Sequence, residues 1–183
     1  MGVPDIWGTD PAEQAASYAC DDFTRGPAEG WFRAVTAHAD PPVLFRWLCQ
    51  LRVAPYSYDL VDNLGRRSPR TLTPGLDELE VGQSFSGIFE LLSFSRDEHI
   101  TLRISDRKAV RAFGEVVVTY AIRPQEPGIS RLVAKLAVPP AQGLLRGILN
   151  RMLSWGDLVM MRRQLLTLAA LAARDQEHRN RPL

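Results

Sequence analysis

The 183-residue sequence contains few of the features that mark specialised protein classes. It has only two cysteines, too few for the disulfide framework that stabilises small secreted proteins. No apolar run approaches the roughly 20 residues that a membrane-spanning helix requires. The formal net charge is +1, so there is no strong positive field to attract nucleic acid or an anionic membrane. We therefore expect neither a membrane span nor a nucleic-acid partner.

Motifs that carry common chemistries are also missing. The sequence has no GxxxxGK[ST], GxGxxG, HExxH, CxxC or GxSxG pattern, which removes support for phosphate, dinucleotide and thiolate zinc sites and for a nucleophile elbow. The two cysteines and three histidines are scattered without the spacing of metal ligands. We predict no metal ion and no cofactor.

The opening segment MGVPDIWGTDPAEQ lacks the basic and apolar regions of a secretory signal peptide. Cytoplasmic proteins keep their thiols reduced, and two thiols fit that setting. The sequence therefore predicts a cytoplasmic location. Cys49 lies in the apolar run VLFRWLCQL and is expected to be a small core residue.

The composition is that of a globular protein, with 45% hydrophobic and 23% charged residues. We predict an irregular N-terminal arm over residues 1–30, one domain over 31–175 and a frayed polar tail over 176–183. The arm is acidic, but Ile6 and Trp7 are apolar anchors. It is therefore expected to fold back onto the body, with docking on a second subunit as the alternative.

Strand patterns recur along the chain as short segments bounded by turn residues, and apolar and polar residues alternate legibly in the last three of them. Their ranges are 31–39, 56–61, 84–94 (two strands bent near Gly87), 99–105, 114–123 and 130–138. Turn signals, among them Asp106-Arg107-Lys108, leave only short connections, which favour an antiparallel meander. The irregular stretch 66–83 is either a functional lid or a packed surface excursion.

Two segments show helical periodicity. The first is 42–51, and the second follows Pro139-Pro140 and ends near Arg174. Gly156 and a capping Asp157 predict a kink or a break between a short helix and a long terminal one. The terminal helix would be roughly 27 Å long, enough to cover the apolar face of the sheet. These elements predict an α+β fold.

Three segments in this order resemble the helix-grip superfamily, called START-like or SRPBCC, and its actinobacterial polyketide cyclase/dehydrase-like branch. They are WFRAVTAHADPPVLFRWL, VGQSF and LLRGILNRMLSWGDLVMMRRQLLTLAALA. The resemblance covers about residues 31–175. It implies a curved antiparallel sheet of about seven strands wrapped on a long C-terminal helix, with an apolar ligand held between them. The superfamily shares no catalytic motif, so no reaction follows from the fold.

Within that plan, one set of residues is expected to line the ligand cavity: Trp47, Tyr58, Val118, Tyr120, Leu132, Leu136, Trp155 and Val159. Tyr120 shares a strand face with Val118, so its hydroxyl points inward, either as a satisfied core group or as a group that orients the ligand. Glu90 has ambiguous strand parity, and an outward position is favoured because unpaired buried carboxylates are rare.

Two functions are consistent with these residues. The first is binding of a small hydrophobic or aromatic molecule in the cavity. The second is a polyketide cyclase/dehydratase-like enzyme that uses the same cavity, with Tyr58, Glu90 and Tyr120 as the candidate proton-transfer groups. The predicted partner is a small apolar ligand, and a homodimer is left open.

Overall fold

The computed structural model describes residues 4–58, 67–140 and 144–180 and contains one seven-stranded sheet. The strands are β1 (Ile6–Trp7), β2 (Glu29–Ala37), β3 (Ser84–Phe85), β4 (Phe89–Ser95), β5 (His99–Ile104), β6 (Val117–Glu126) and β7 (Ile129–Val138). Their order across the sheet is β1-β2-β7-β6-β5-β4-β3. Neighbouring strands are antiparallel apart from β1, which pairs with β2 in parallel. The sheet is therefore mixed at one edge.

Within the described residues, four α-helices accompany the sheet: α1 (Pro11–Ala15), α2 (Pro41–Cys49), α3 (Arg107–Phe113) and α4 (Leu144–Asn180). Short 3₁₀ turns cover Ala19–Phe23 and Gln50–Arg52. Helix α4 is 37 residues long and packs against both β2 and α2. Among the described residues, no helix is both long and apolar enough to cross a bilayer.

The main core lies between the inner face of the sheet and the helices. Alternation along β2 turns Trp31 and Val35 toward this core and Phe32 toward the opposite face. From α4, Leu165 and Leu168 are completely buried against the sheet. The long helix therefore grips the inner face, as the sequence predicts.

The outer face of the sheet is covered by the N-terminal residues. Tyr18 and Cys20 are buried in a second apolar cluster with Phe32 of β2. The preceding helix α1 begins with a capping box in which Asp10 and Glu13 each accept a hydrogen bond from the other's backbone N–H. The arm therefore folds back onto the sheet, as its apolar residues predict. It contains helix α1 and a 3₁₀ turn where the sequence indicates an irregular segment.

The terminal helix differs from its prediction at two places. It runs without interruption through Gly156 and Asp157, so the expected break and the capping role of Asp157 are wrong. It also continues to Asn180, where fraying is expected from residue 176. Gln176 is buried, and its amide donates a hydrogen bond to Asp40 at 2.9 Å, which fastens this end of the helix to the turn before α2.

Three connecting segments can also be compared with the structure that the sequence predicts for them. Asp106, read as part of a turn, caps α3 by accepting hydrogen bonds from two backbone N–H groups. Residues 56–58 are not a strand, and residues 59–61 of that predicted strand lie outside the described residues. Residues 67–83 contain no helix or strand and are held to the body at Thr73, whose N–H donates to Gln50.

Candidate functional site

A cavity of about 250 Å³ lies between the inner face of the sheet and α4. Its wall is mostly apolar and includes a few polar groups. The lining residues are Leu51, Pro55, Ser57, Phe85, Ser86, Ile88, Phe89, Leu102, Tyr120, Asp157, Met160, Met161 and Gln164. Ile88 and Met160 are 42% and 38% exposed, so they form the mouth where the cavity reaches the surface. Loop 67–83 contributes no residue to this wall.

Helix α4 supplies three of the polar or polarisable groups because of its periodicity. Asp157, Met161 and Gln164 are spaced by four and three residues, which places them on one face of the helix. Across the cavity, Tyr120 is carried on the inward face of β6 beside Val118. The helix and the central strand therefore bring their polar side chains together in an otherwise apolar space.

Tyr120 belongs to a hydrogen-bond chain with a fixed direction. The carbonyl oxygen of Pro55 can only accept, so the Nε2 group of Gln164 donates to it at 2.7 Å. The Oε1 atom of Gln164 therefore faces Tyr120 and accepts from its hydroxyl at 2.8 Å. The Tyr120 proton is committed to Gln164, and the oxygen keeps its lone pairs.

Asp157 forms an ion pair with an arginine beneath the helix. Arg33 lies on the inner face of β2 and has no exposed side-chain surface, and its Nη2 donates to Asp157 Oδ2 at 3.0 Å. The other terminal nitrogen of Arg33 donates to the backbone carbonyls of Asp5 and Phe32. Asp157 keeps 24% of its side chain accessible. This accessible part lies at the cavity wall.

Burial changes the acid–base properties of both cavity groups. Removal from water raises the pKa of Asp157 to about 6, although Arg33 opposes that rise by favouring the carboxylate. Burial likewise raises the pKa of Tyr120 above its ordinary value, and the charge of Asp157 adds to the effect. At neutral pH Asp157 is therefore a carboxylate, and it takes up a proton near pH 6. Tyr120 is a neutral phenol at the same pH.

The rim beside β3 is conformationally unusual. Ser86 has a φ of 46°, in the left-handed region that non-glycine residues seldom adopt, and Gly87 follows with a φ of 72°. Two contacts hold Ser86 there: its hydroxyl donates to the carbonyl of Leu51 at 2.7 Å, and its N–H donates to the carbonyl of Arg52. These contacts place the Ser86 oxygen at the cavity wall with its proton already used.

Of the sequence-predicted site residues, only Tyr120 is among those that line the cavity. Val118, Leu132 and Leu136 are buried core residues of β6 and β7. Trp47 is also buried in the core, where its indole N–H donates to Asp175 at 3.0 Å. Their expected contact with the cavity is therefore absent from the described structure.

The remaining predicted residues lie outside the cavity for different reasons. Trp155 and Val159 occupy the exposed face of α4, because the unbroken helix turns Asp157 and Met161 inward instead. Tyr58 is exposed and does not contribute to the wall. Glu90 lies on the outer side of β4, where it pairs with Arg103 of β5 at 3.1 Å.

Sequence reasoning missed Gln164 and the ion pair of Asp157 with Arg33. A signal was present, because Arg33 shares the inward parity of Trp31 and Val35, and a buried guanidinium requires a carboxylate. Asp157 and Gln164 likewise interrupt the apolar stripe that contains Met161. Charged residues on apolar faces of two distant elements would have pointed to an ion pair between them.

A separate surface depression of about 290 Å³ lies on the other side of the sheet. Arg103 lines it, but that guanidinium is paired with Glu90 and is partly exposed. Within the described part of the chain, no three metal-binding side chains converge there or elsewhere. The perturbed acid and the buried hydrogen-bond chain identify the inner cavity as the better candidate.

No family model matches the chain, and no curated protein sequence matches it significantly. Among solved structures, a Thermobifida fusca protein aligns with a TM-score of 0.55 and 11% identity, over 79% of this chain and 93% of its own. Ara h 8.0201 aligns with a TM-score of 0.51 and 8% identity, over 81% and 99%. A START superfamily protein from Mycobacterium smegmatis aligns with a TM-score of 0.45 and 13% identity, over 84% and 100%.

The first two likenesses have TM-scores above 0.5, and at their low identity they concern the fold alone. They agree with the architecture described above, in which α4 grips the inner face of a seven-stranded sheet. The resemblance identified in the sequence is therefore confirmed at the level of the fold. The chain has the predicted helix-grip fold, an antiparallel sheet that is mixed only at the β1 edge and is gripped by α4.

Proposed function

We propose that the protein binds a small hydrophobic or aromatic molecule in the cavity between the sheet and α4. The observation that carries this proposal is the cavity itself, about 250 Å³ in volume and mostly apolar, with a few convergent polar groups. Small-molecule sites begin at roughly 300 Å³, and a dry cavity of about 150 Å³ accepts benzene. We therefore expect a compact ligand with one substituted ring.

The test is a titration with 4-ethyltoluene that is monitored by protein-detected NMR or by calorimetry. Met160→Trp places a large ring at the mouth of the cavity, where Met160 is partly exposed. It should weaken binding at least about 10-fold, because the indole competes for the same apolar space. Leu166→Trp is the matched control on the exposed side of the same helix, and it should leave binding unchanged.

Two results would contradict the proposal. The first is a titration in which neither 4-ethyltoluene nor a panel of other one-ring hydrocarbons perturbs the signals of cavity residues. The second is equal weakening by both tryptophan variants, which would show that the ligand binds outside the cavity.

A second candidate is an enzyme of the cyclase/dehydratase kind, and the acid–base state of Asp157 favours it. A carboxyl whose pKa lies near 6 can both donate and accept a proton close to neutral pH. Tyr120 lines the same cavity, and its oxygen would accept a hydrogen bond from an enol hydroxyl of the substrate. In this candidate the proton-transfer group is Asp157. Glu90 and Tyr58, which the sequence analysis proposes for that role, do not line the cavity.

Incubation with short poly-β-ketone thioesters and detection of cyclised products by mass spectrometry tests the enzymatic candidate. Asp157→Asn should reduce a general acid–base rate by about 10²- to 10⁴-fold. Glu90→Gln is the matched control, since it also neutralises a carboxylate paired with an arginine. An activity that survives Asp157→Asn would remove Asp157 from the mechanism.

A further inference from the structure

Two hydroxyl groups on residues that line the cavity, those of Tyr120 and Ser86, already use their protons. The Tyr120 hydroxyl donates to Gln164, whose orientation is fixed by the carbonyl of Pro55. The Ser86 hydroxyl donates to the carbonyl of Leu51, which can only accept. Both oxygens therefore present lone pairs to a ligand.

The carboxylate of Asp157 adds a stronger acceptor. Among the described residues, Arg33 is its only hydrogen-bond donor, and it uses Oδ2 at 3.0 Å. An ionised carboxylate has about four lone-pair sites, so Oδ1 keeps its capacity to accept. Because Arg33 balances the charge, the site offers lone pairs without net negative charge, which favours a neutral donor over an ammonium group.

We propose that the juxtaposition of Asp157, Tyr120 and Ser86 makes the cavity select apolar ligands that carry a hydroxyl group, such as phenols and alcohols, and reject carboxylates of similar shape. This inference rests on the proposed binding function and adds the chemical class of the ligand. A hydroxyl donates to Asp157 or to the Tyr120 oxygen while its hydrocarbon part fills the apolar space. A carboxylate brings only acceptors and a negative charge to these three acceptor oxygens, so none of them compensates its desolvation.

The experiment compares two pairs of probes at pH 8, each pair matched in shape. The first pair is 4-ethylphenol and 4-ethyltoluene, which differ in the donor. The second is 4-ethylbenzoate and 4-ethylacetophenone, which differ in charge. We expect the phenol to bind at least about 10-fold more tightly than the toluene, as for a hydrogen bond to a charged acceptor. We expect the benzoate to bind at least about 10-fold more weakly than the ketone.

A pair of double variants assigns the preference to the cavity. Arg33→Met with Asp157→Leu removes both charges without leaving either one unpaired, and it should bring the phenol-to-toluene ratio close to one. Glu90→Leu with Arg103→Met removes the ion pair on the outer face of the sheet and should leave the ratio unchanged. If the first double variant does not fold, the wild-type ratios alone still decide the selectivity.

The outcomes separate this inference from the function on which it rests. Equal binding of phenol and toluene, tighter binding of the benzoate, or a phenol preference that survives removal of the Arg33–Asp157 pair overturns the inference and leaves apolar binding intact. Failure of all four probes to bind overturns the proposed function and the inference with it.

Discussion

The two faces of the sheet are covered by different segments, and each cover includes an arginine–carboxylate pair. On the outer face, Glu13 of the N-terminal arm accepts two hydrogen bonds from Arg131, at 2.8 and 2.9 Å, and a third from the backbone of Asp10. On the inner face, Asp157 accepts one hydrogen bond from Arg33 among the described residues. Glu13 is thus nearly saturated with donors, whereas Asp157 is not.

This difference separates attachment from recognition. A carboxylate that already accepts three hydrogen bonds has little capacity left for a ligand, and the outer pair fastens the arm to β7. An unsaturated carboxylate at a cavity wall retains lone pairs and a perturbed pKa, and both properties are typical of functional groups. The same residue types therefore serve different purposes according to how many donors surround them.

Breaking the inner pair should produce the largest effect. Asp157→Ala leaves the guanidinium of Arg33 buried without a carboxylate, and we expect a loss of about 3–5 kcal/mol in the free energy of unfolding. Arg33→Met combined with Asp157→Leu should recover most of that loss, because no buried charge remains. Urea denaturation measures both, and a double variant no more stable than Asp157→Ala would contradict the argument.

The pH dependence of stability sharpens the comparison further. Burial raises the pKa of Asp157 from 3.8 to about 6 in the folded state, where the facing groups are Arg33, Asp5 and Tyr120. The folded protein therefore holds this proton more tightly than the unfolded chain. The resulting stabilisation is present below about pH 4 and is lost as the pH rises to about 6.

The wild type should accordingly lose up to about 3 kcal/mol relative to the Arg33→Met, Asp157→Leu double variant between about pH 4 and pH 6, since two pKa units correspond to that energy. Urea unfolding of both proteins across this range gives the difference. Parallel stability curves would show that Asp157 does not titrate with a raised pKa.

Weakening the outer pair should have a smaller effect. Glu13→Gln keeps the shape of the side chain but replaces charge-assisted hydrogen bonds, and we expect a loss of about 1–3 kcal/mol. Cys20 belongs to the arm and is buried against the outer face of the sheet, whereas Cys49 lies in the inner core. Native-state thiol labelling should therefore become faster at Cys20 and stay unchanged at Cys49.

Asp22→Asn is the control for that experiment, because Asp22 is an exposed carboxylate of the same arm. It should change neither the free energy of unfolding nor the labelling rate of Cys20. Equal acceleration at both cysteines in Glu13→Gln would indicate global unfolding and would contradict local attachment of the arm by Glu13.

Periodicity in the sequence predicted the strands and helices that follow a regular pattern. The bend near Gly87 divides β3 from β4 as expected, and α2 follows the apolar spacing of its sequence. The predicted break at Gly156 failed because a glycine in a helix costs only about 1 kcal/mol. Packing of α4 along the sheet and the Asp157–Arg33 contact exceed that cost.

Site residues were harder to predict. The apolar face of one strand or helix does not specify which side chains of another element it contacts. The sequence placed Tyr120 inward correctly, since alternation on one strand decides that. It also placed Trp155 and Val159 in the cavity, but the rotation of α4 leaves both exposed. A continuous helix fixes that rotation over its whole length.

The sequence by itself determined the local features of this protein: the alternating strands, the amphipathic terminal helix and the plan of one sheet covered by that helix. Only the tertiary structure decided that Arg33 meets Asp157 across 124 positions and that Gln164 meets Pro55 across 109. The physical reason is that periodicity selects the face of an element, whereas register, helix rotation and packing select which faces oppose each other. The cavity and its acceptors arise from that second selection.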